Sequence, residues 1–423
     1  MLDSPLFRQA ALAVSVGVLL VTAALGQSKG TIIHSFGFHK GEGGETPYSN
    51  LIFDSAGNMY GTTIDGGTGW NNGYGNGVAF ELSPKAGGGW SYRVICEFGS
   101  AQCPVGIAPF GGLVMDKSGN LFGTTDGGFD AGTGTVYELS PSSDGHWTSK
   151  LLYSFPAYPG DGTVPLAGVI LDSAGNLYGT TSSGGAGDFG YGGGTVFELS
   201  PSSDGQWKET ILYDFQGGND GVGPASPLLF DDQGNLHGTA GGGSHGDGTI
   251  FELSRSAGGA WTEATLHAFD GLDGANPYAG LTSDSSGRLY GTTTNGGTSA
   301  NCQNGCGTVF RLSPNESGTW SLVTLHDFSG GSDGADPYAG LAIDGSGTLY
   351  GATVSGGPGG CGTIFGLRKS GAKAFETVSF DGKNGCQPYS AVTLDGAGNI
   401  FGTASEGGVY GYGVVFELFN SQK

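Results

Sequence analysis

Asn176-Leu177-Tyr178-Gly179-Thr180-Thr181, followed after a glycine-rich loop by Gly194-Thr195-Val196-Phe197-Glu198-Leu199, is the stretch that decides the fold. Two short runs of β-branched, aromatic and small residues separated by glycines read as neighbouring strands of a meander. Val196 and Phe197 are apolar on successive positions, which suits a sheet covered on both faces. Outward from this pair, the run from Pro165 to Asp172 reads as a strand before it, and residues 207–215, opening on Trp207 and ending on Phe215, as a strand after it. The unit is therefore four strands, A to D.

The unit recurs. An Asp that closes one apolar run, with a Gly three residues later, stands at Asp54, Asp116, Asp172, Asp231, Asp284, Asp344 and Asp395, at spacings of 51 to 62 residues. Seven residues before each lies a proline: Pro47, Pro109, Pro165, Pro224, Pro277, Pro337 and Pro388. Asp can accept hydrogen bonds from the turn backbone, and the Gly can take a left-handed conformation. Proline at the start of strand A costs no ladder bond. Repeats of this period made of four strands predict an all-β, seven-bladed β-propeller with four-stranded blades. The seventh unit has A, B and C but no D, while residues 31–36 form an orphan D-like strand. The N-terminal strand is therefore expected to close the last blade beside residues 414–418 and remove both open edges. An open solenoid is the competing architecture, and it would need distinct capping repeats.

Composition agrees. The 423 residues include 88 Gly, 24 Phe, 17 Tyr and 6 Trp, with 37% hydrophobic residues, so short strands, tight turns and a sizeable core are expected rather than disorder. The net charge of −22 excludes nucleic acid and anionic membrane surfaces as partners. Residues 1–26 read as a signal peptide: Arg8 precedes an apolar stretch over residues 10–25, and cleavage is expected before Gln27. The alternative is an uncleaved anchor. No cysteine follows the stretch, which argues against a lipoprotein, and no span is expected after signal cleavage. Residues 31–420 form the propeller, placed outside the cytoplasm, secreted or at the cell surface, and expected to be monomeric. Six cysteines suit an oxidising compartment. Cys96 lies close to Cys103 and Cys302 to Cys306, which leaves Cys361 with Cys386; this is one of 15 connectivities, and zinc on Cys302 and Cys306 is the weaker alternative.

The motif Gly-Thr-Thr…Gly-Gly…Gly-Thr-Val-Phe-Glu-Leu-Ser-Pro, with Asp-Gly…Pro-Tyr-Ala-Gly-Leu, resembles the bacterial GloVer-type tandem repeat of the choice-of-anchor proteins. The resemblance covers essentially all of residues 31–420. It implies an extracytoplasmic repeat protein and carries over no catalytic residues. Members often end in a sorting anchor, whereas here only residues 419–423 follow the last strand.

Candidate binding residues lie on the loops between strands B and C, on the face where strand A begins. Trp70, Asn72 and Tyr74 in blade 1, Asp188, Phe189 and Tyr191 in blade 3, and Tyr410 and Tyr412 in blade 7 form an arc once the ring closes. Aromatic faces flanked by Asn and Asp suit sugars. The competing reading is that these aromatics pack their own glycine loops. Tyr48, Phe110, Tyr278, Tyr338 and Tyr389 at the start of strand A, with Leu166 and Ala225 in the other two blades, either pack between blades or rim the channel. The Asp-Gly pairs at Asp161, Asp220, Asp273 and Asp333 read as turns rather than calcium ligands. The strand C glutamates Glu81, Glu138, Glu198, Glu252 and Glu417, and His237 and His245, read as structural. No catalytic residue, metal site or cofactor is expected. The expected function is a non-enzymatic binding module for a glycan or a surface protein. A carbohydrate-active enzyme using top-loop carboxylates and a purely structural envelope protein are the alternatives.

Overall fold

The computed structural model describes residues 30–37, 43–67, 75–128, 133–156, 160–186, 192–315, 318–368 and 376–419. The expected signal peptide, residues 1–26, lies outside these residues. Seven antiparallel four-stranded sheets are arranged in chain order, with no helix among the described residues. Blade 3 is representative: A is Ile170–Leu171, B is Leu177–Thr181, C is Thr195–Pro201 and D is Trp207–Asp214. Strand A forms the inner edge of each blade. Neighbouring A strands meet there: a Cβ on Gly168 would lie 2.3 Å from the Gly112 carbonyl oxygen, and Thr393 Oγ1 donates to the Leu51 carbonyl. The face where the A strands begin is called the top. The A–B and C–D turns lie at the bottom.

The ring closes as the sequence predicts. Gly30–Ser35 pairs antiparallel with Val414–Leu418, outside Ile400–Ala404 and Thr393–Leu394. Its register slips between Ile32 and His34, as the D strands of the first five blades slip against their C strands. The N-terminal strand therefore takes the D position with the same bulge.

Each recurrent residue has a physical reason. In all seven A–B turns the Asp Oδ1 accepts the backbone N–H groups two and four residues on. Where strand B carries a tyrosine, its hydroxyl donates to Oδ2 of the same Asp, as from Tyr60, Tyr178, Tyr290 and Tyr350. The proline of each blade sits over the glycine that opens strand C of the preceding blade. A Cβ on Gly77, Gly134, Gly194, Gly248, Gly307, Gly362 or Gly413 would lie 2.2 to 2.9 Å from that proline's Cδ. Every seam also buries one aromatic pair, the Phe after strand D against the strand C aromatic of the next blade. The seven pairs run from Phe36–Phe80 to Phe380–Phe416, with centroids 5.0 to 5.3 Å apart and planes at 61° to 70°. Such edge-to-face contacts add about 0.5–1.5 kcal/mol each beyond the area they bury. The core thus lies in the seams: Phe122, Val136 and Phe155 of blade 2 pack with Leu177, Phe197 and Leu199 of blade 3.

Six threonines of strand B donate across a seam to a carbonyl of the next strand A, at 2.8 to 3.2 Å: Thr62, Thr124, Thr180, Thr239, Thr292 and Thr403. Blade 6 carries Ala352 instead. The three disulfides are Cys96–Cys103, Cys302–Cys306 and Cys361–Cys386. Cys96 occupies the place of Tyr153 and Tyr213, whose hydroxyls bond Asp161 and Asp220 in later blades.

One expectation is narrowed. Strand A is laddered over only two residues in each blade, not from the proline to the Asp. The residue before each proline is left-handed: Thr46, Ala108, Val164, Asn276, Asp336 and Gln387 have φ of 55° to 61°, and Gly223 has 61°. That conformation turns the chain away from the B ladder. In blade 1 the Ser49 hydroxyl then stands in for backbone, accepting from Thr62 N–H and donating to its carbonyl.

Candidate functional site: the channel mouth

The left-handed residues build the top of the channel. Such a conformation costs a non-glycine residue on the order of 1 kcal/mol or more and persists only when its surroundings hold it. Here each of the seven N–H groups donates across a seam to the preceding B–C loop: Thr46 to Tyr412, Ala108 to Asn76, Val164 to Thr133, Gly223 to Gly193, Asn276 to Asp247, Asp336 to Cys306 and Gln387 to Cys361. Two residues further along stands the aromatic position of strand A.

At that position, five aromatic rings from consecutive blades touch. Tyr278 stacks on Tyr338 (5.4 Å), Tyr338 meets Tyr389 edge to face (5.5 Å), Tyr389 stacks on Tyr48 (4.4 Å), and Tyr48 meets Phe110 (5.8 Å). These residues thus pack between blades, as one of the two readings expects. Tyr278 and Tyr338 remain 39% and 37% exposed, so their rings are presented rather than sealed. Burial pushes the Tyr48 hydroxyl far above the ordinary phenol range, and Tyr389, Tyr338 and Glu406 add to it. Burial, then Tyr278 and Tyr389, raises Tyr338. These hydroxyls stay protonated and can both donate and accept.

The mouth is lopsided. Blades 5, 6, 7 and 1 supply Tyr278, Tyr338, Tyr389 and Tyr48, and their left-handed residues are Asn276, Asp336, Gln387 and Thr46. Blades 2, 3 and 4 supply Phe110, Leu166 and Ala225 with Ala108, Val164 and Gly223. Polar partners reinforce the first arc. Asn276 Nδ2 donates to Asn295 Oδ1 at 3.0 Å, Ser355 Oγ donates to Asp336 Oδ2 at 2.6 Å, and the Thr294 hydroxyl is buried without a partner. Near blade 1, burial and then Asp65 raise the buried Glu45 carboxyl, while burial raises Asp65 against a hydrogen bond from Thr46.

Of the residues the sequence singled out, Trp70, Asn72, Tyr74, Asp188, Phe189 and Tyr191 lie outside the described residues. Tyr410 and Tyr412 are 45% and 38% exposed. The Tyr410 ring covers Gly37, whose Cβ would lie 2.7 Å from Tyr410 Cδ2. The Tyr412 carbonyl holds Thr46, which places Tyr412 at the blade 1 end of the polar arc. The left-handed polar residues were not singled out. Their signal is the residue before each proline, polar in four adjacent blades and apolar or glycine in the other three. The Asp-Gly aspartates are bonded within the rim: Asp161 to Tyr153, Asp220 to Tyr213, Asp273 to His267 and Asp333 to His326. The strand C glutamates Glu81, Glu138 and Glu198 accept from Ser83, Ser140 and Ser200.

Fold and mouth together define a closed tandem-repeat propeller with an aromatic-lined channel entrance. The sequence matches the Gloeobacter/Verrucomicrobia repeat over residues 18–208, 148–319 and 296–423, and the chain belongs to that family. No curated protein matches it. Among solved structures it is similar to an ancestral GH74 enzyme, at 13% identity and a TM-score of 0.53, over 90% of this chain and 51% of that one. The chain thus spans about half the length of that enzyme, and the likeness is one of fold.

Proposed function

We propose that the chain is an exported, non-enzymatic binding module that takes a glycan at the channel mouth, with the tyrosine arc of blades 5, 6, 7 and 1 as its platform. One observation supports the reading: four tyrosines from consecutive blades lie in continuous ring contact, with Tyr278 and Tyr338 exposed, beside side-chain amides, a carboxylate and hydroxyls. The C–H faces of a pyranose stack on such rings, and its hydroxyls meet the polar groups. Tyr412 stands at the blade 1 end of this row, where its carbonyl accepts the Thr46 N–H. Three disulfides suit an oxidising compartment outside the cytoplasm.

Affinity electrophoresis through a panel of neutral polysaccharides tests the proposal. Retardation by at least one of them, weakened about tenfold (1.4 kcal/mol) by Tyr278→Ala with Tyr338→Ala, is the expected result. No retardation by any polysaccharide, or retardation unchanged in the double variant, overturns it.

A carbohydrate-active enzyme is the second reading. It is favoured by the neighbouring Glu45 and Asp65, both held above the ordinary carboxyl range. It requires new reducing ends on incubation with a polysaccharide, lost in Glu45→Gln.

A further inference from the structure

Blade 4 departs from the repeat on the bottom face. Where the other blades carry Tyr60, Phe122, Tyr178, Tyr290, Tyr350 or Phe401 on strand B, blade 4 carries His237. A tyrosine there reaches the turn aspartate directly, with O···O distances of 2.9 to 3.3 Å. Imidazole is shorter. His237 Nε2 stops 3.5 Å from Asp231 Oδ2 and 3.8 Å from Glu252 Oε2. Both separations exceed the usual 2.7–3.2 Å range of an N–H···O hydrogen bond.

Two further observations single out this place. The His237 side chain is only 3% exposed, and its Nδ1 has no partner. The repeat tolerates Phe here, so a buried, poorly satisfied imidazole is not something the fold demands. In addition, Glu81, Glu138 and Glu198 are each held by the serine two residues on, but Ser254 makes no such bond to Glu252. The blade 4 carboxylate is turned to the histidine instead. Asp231 remains fixed by the Gln233 and Asn235 backbone and by Asn235 Nδ2, so its Oδ2 is presented at a set position.

We propose that Asp231, His237 and Glu252 form a binding site for a divalent transition metal ion of the zinc class. Their ligand atoms lie within 4.8 Å of one another. Two bonds of about 2.1 Å meeting at a tetrahedral angle separate their donors by about 3.4 Å, close to the shorter contacts seen. One imidazole nitrogen with two carboxylate oxygens suits zinc, cobalt or manganese better than calcium, which takes six to eight oxygens. Asp231 and Glu252 side chains are each 22% exposed, which leaves water a way to a remaining coordination position. Because Nδ1 finds no acceptor, no outer partner raises the basicity of the ring, and the affinity falls in the micromolar rather than the nanomolar range.

The test uses the full chain, stripped with chelator and dialysed. Calorimetric titration with zinc chloride is expected to give one site per chain with micromolar affinity. Cobalt chloride is expected to give visible absorption of a low-symmetry site and to quench Trp320, whose ring meets His237 edge to face at 6.1 Å. His237→Tyr restores the residue of four other blades and so keeps the fold. It is expected to abolish the site while leaving circular dichroism unchanged and the zinc-free melting temperature no lower than that of the parent chain. Glu252→Gln is expected to weaken zinc at least tenfold. Absence of a stoichiometric site in the parent chain, or equal binding by His237→Tyr, overturns the proposal. The second outcome would assign the metal to the acidic surface at large.

Discussion

Tyr48 lies flat against Tyr389, with ring centroids 4.4 Å apart and planes 13° apart, so the first and last blades share one aromatic surface across the seam that closes the ring. The candidate platform and the closure of the fold therefore depend on each other. Any loosening of that seam is expected to reach the mouth.

The lopsided mouth makes a differential prediction. Tyr278→Ala with Tyr338→Ala is expected to weaken glycan retention about tenfold, whereas Phe110→Ala, at the apolar end of the same row, should change it less than threefold. Comparing the two in affinity electrophoresis separates a platform from a uniform structural ring. Equal losses would favour the structural ring.

The closing strand should be sensitive to acid. His34 stacks on Tyr92 of blade 1 at 3.9 Å, its Nε2 is buried without a partner, and burial lowers its pKa to about 4. An unfolded histidine titrates near 6.5. The unfolded chain thus binds the proton first, and stability present above pH 6.5 is lost as the pH falls toward 4, by about 2–3 kcal/mol. His34→Phe should flatten that limb in urea unfolding followed at a series of pH values. A limb of the same slope in the variant would remove His34 from the account.

The seam between blades 2 and 3 should respond in the opposite sense. Glu209 has one oxygen buried without a partner, and burial, then Asp161 and Asp214, raises its pKa to about 7. The folded state holds this proton more tightly than the unfolded state. Stability is therefore full below about pH 4.5 and is lost as the pH rises through 7. Allowing for solvent screening at the half-exposed rim, the loss is roughly 1–2 kcal/mol. Glu209→Gln should be the more stable protein at pH 8, with the advantage shrinking toward pH 5, as read from melting curves.

Gly413 and Gly411 separate two reasons for glycine. Both have positive φ, but a Cβ on Gly413 would lie 2.5 Å from Pro47 Cδ and 2.7 Å from the Ala404 carbonyl oxygen, while one on Gly411 meets nothing within 4 Å. Gly411→Ala is expected to cost about 1 kcal/mol from backbone strain alone. Gly413→Ala should cost at least about 1–3 kcal/mol more, because the proline of blade 1 must move. Chemical denaturation of the two variants measures the difference.

Ala352 offers a gain. It alone interrupts the row of strand B threonines that bond across seams. Ala352→Thr is expected to stabilise by about 0.5–1.5 kcal/mol if its hydroxyl reaches the neighbouring strand A carbonyl. A fall in melting temperature would mean that the fully buried site cannot accept the added methyl group.

The fold was legible because its determinants are local and repeated seven times. The turn aspartates, the glycines after them and the prolines each act within a few residues, and the missing seventh D strand pointed to residues 31–36. Proximity also suggested Cys96–Cys103 and Cys302–Cys306, and elimination left Cys361–Cys386, the three pairs that the structure contains. The true extent of strand A was not legible, since the left-handed turn before each proline depends on a carbonyl from the preceding blade. The mouth was half legible: its tyrosines were visible as a repeated position, but their contact depends on how tightly the inner strands converge. The polar residues before the prolines stand out only when blades are compared as neighbours in a circle. His237 read as a substitution within a structural position, and only the distances to Asp231 and Glu252 reveal the space it leaves.

Gly30 pairs with Leu418 at the bottom of the last blade, so the described chain enters and leaves the ring on the face opposite the tyrosines. A support or tag joined directly at either end of the described chain therefore starts on the face away from the tyrosines, and immobilisation there is expected to leave them open to large ligands.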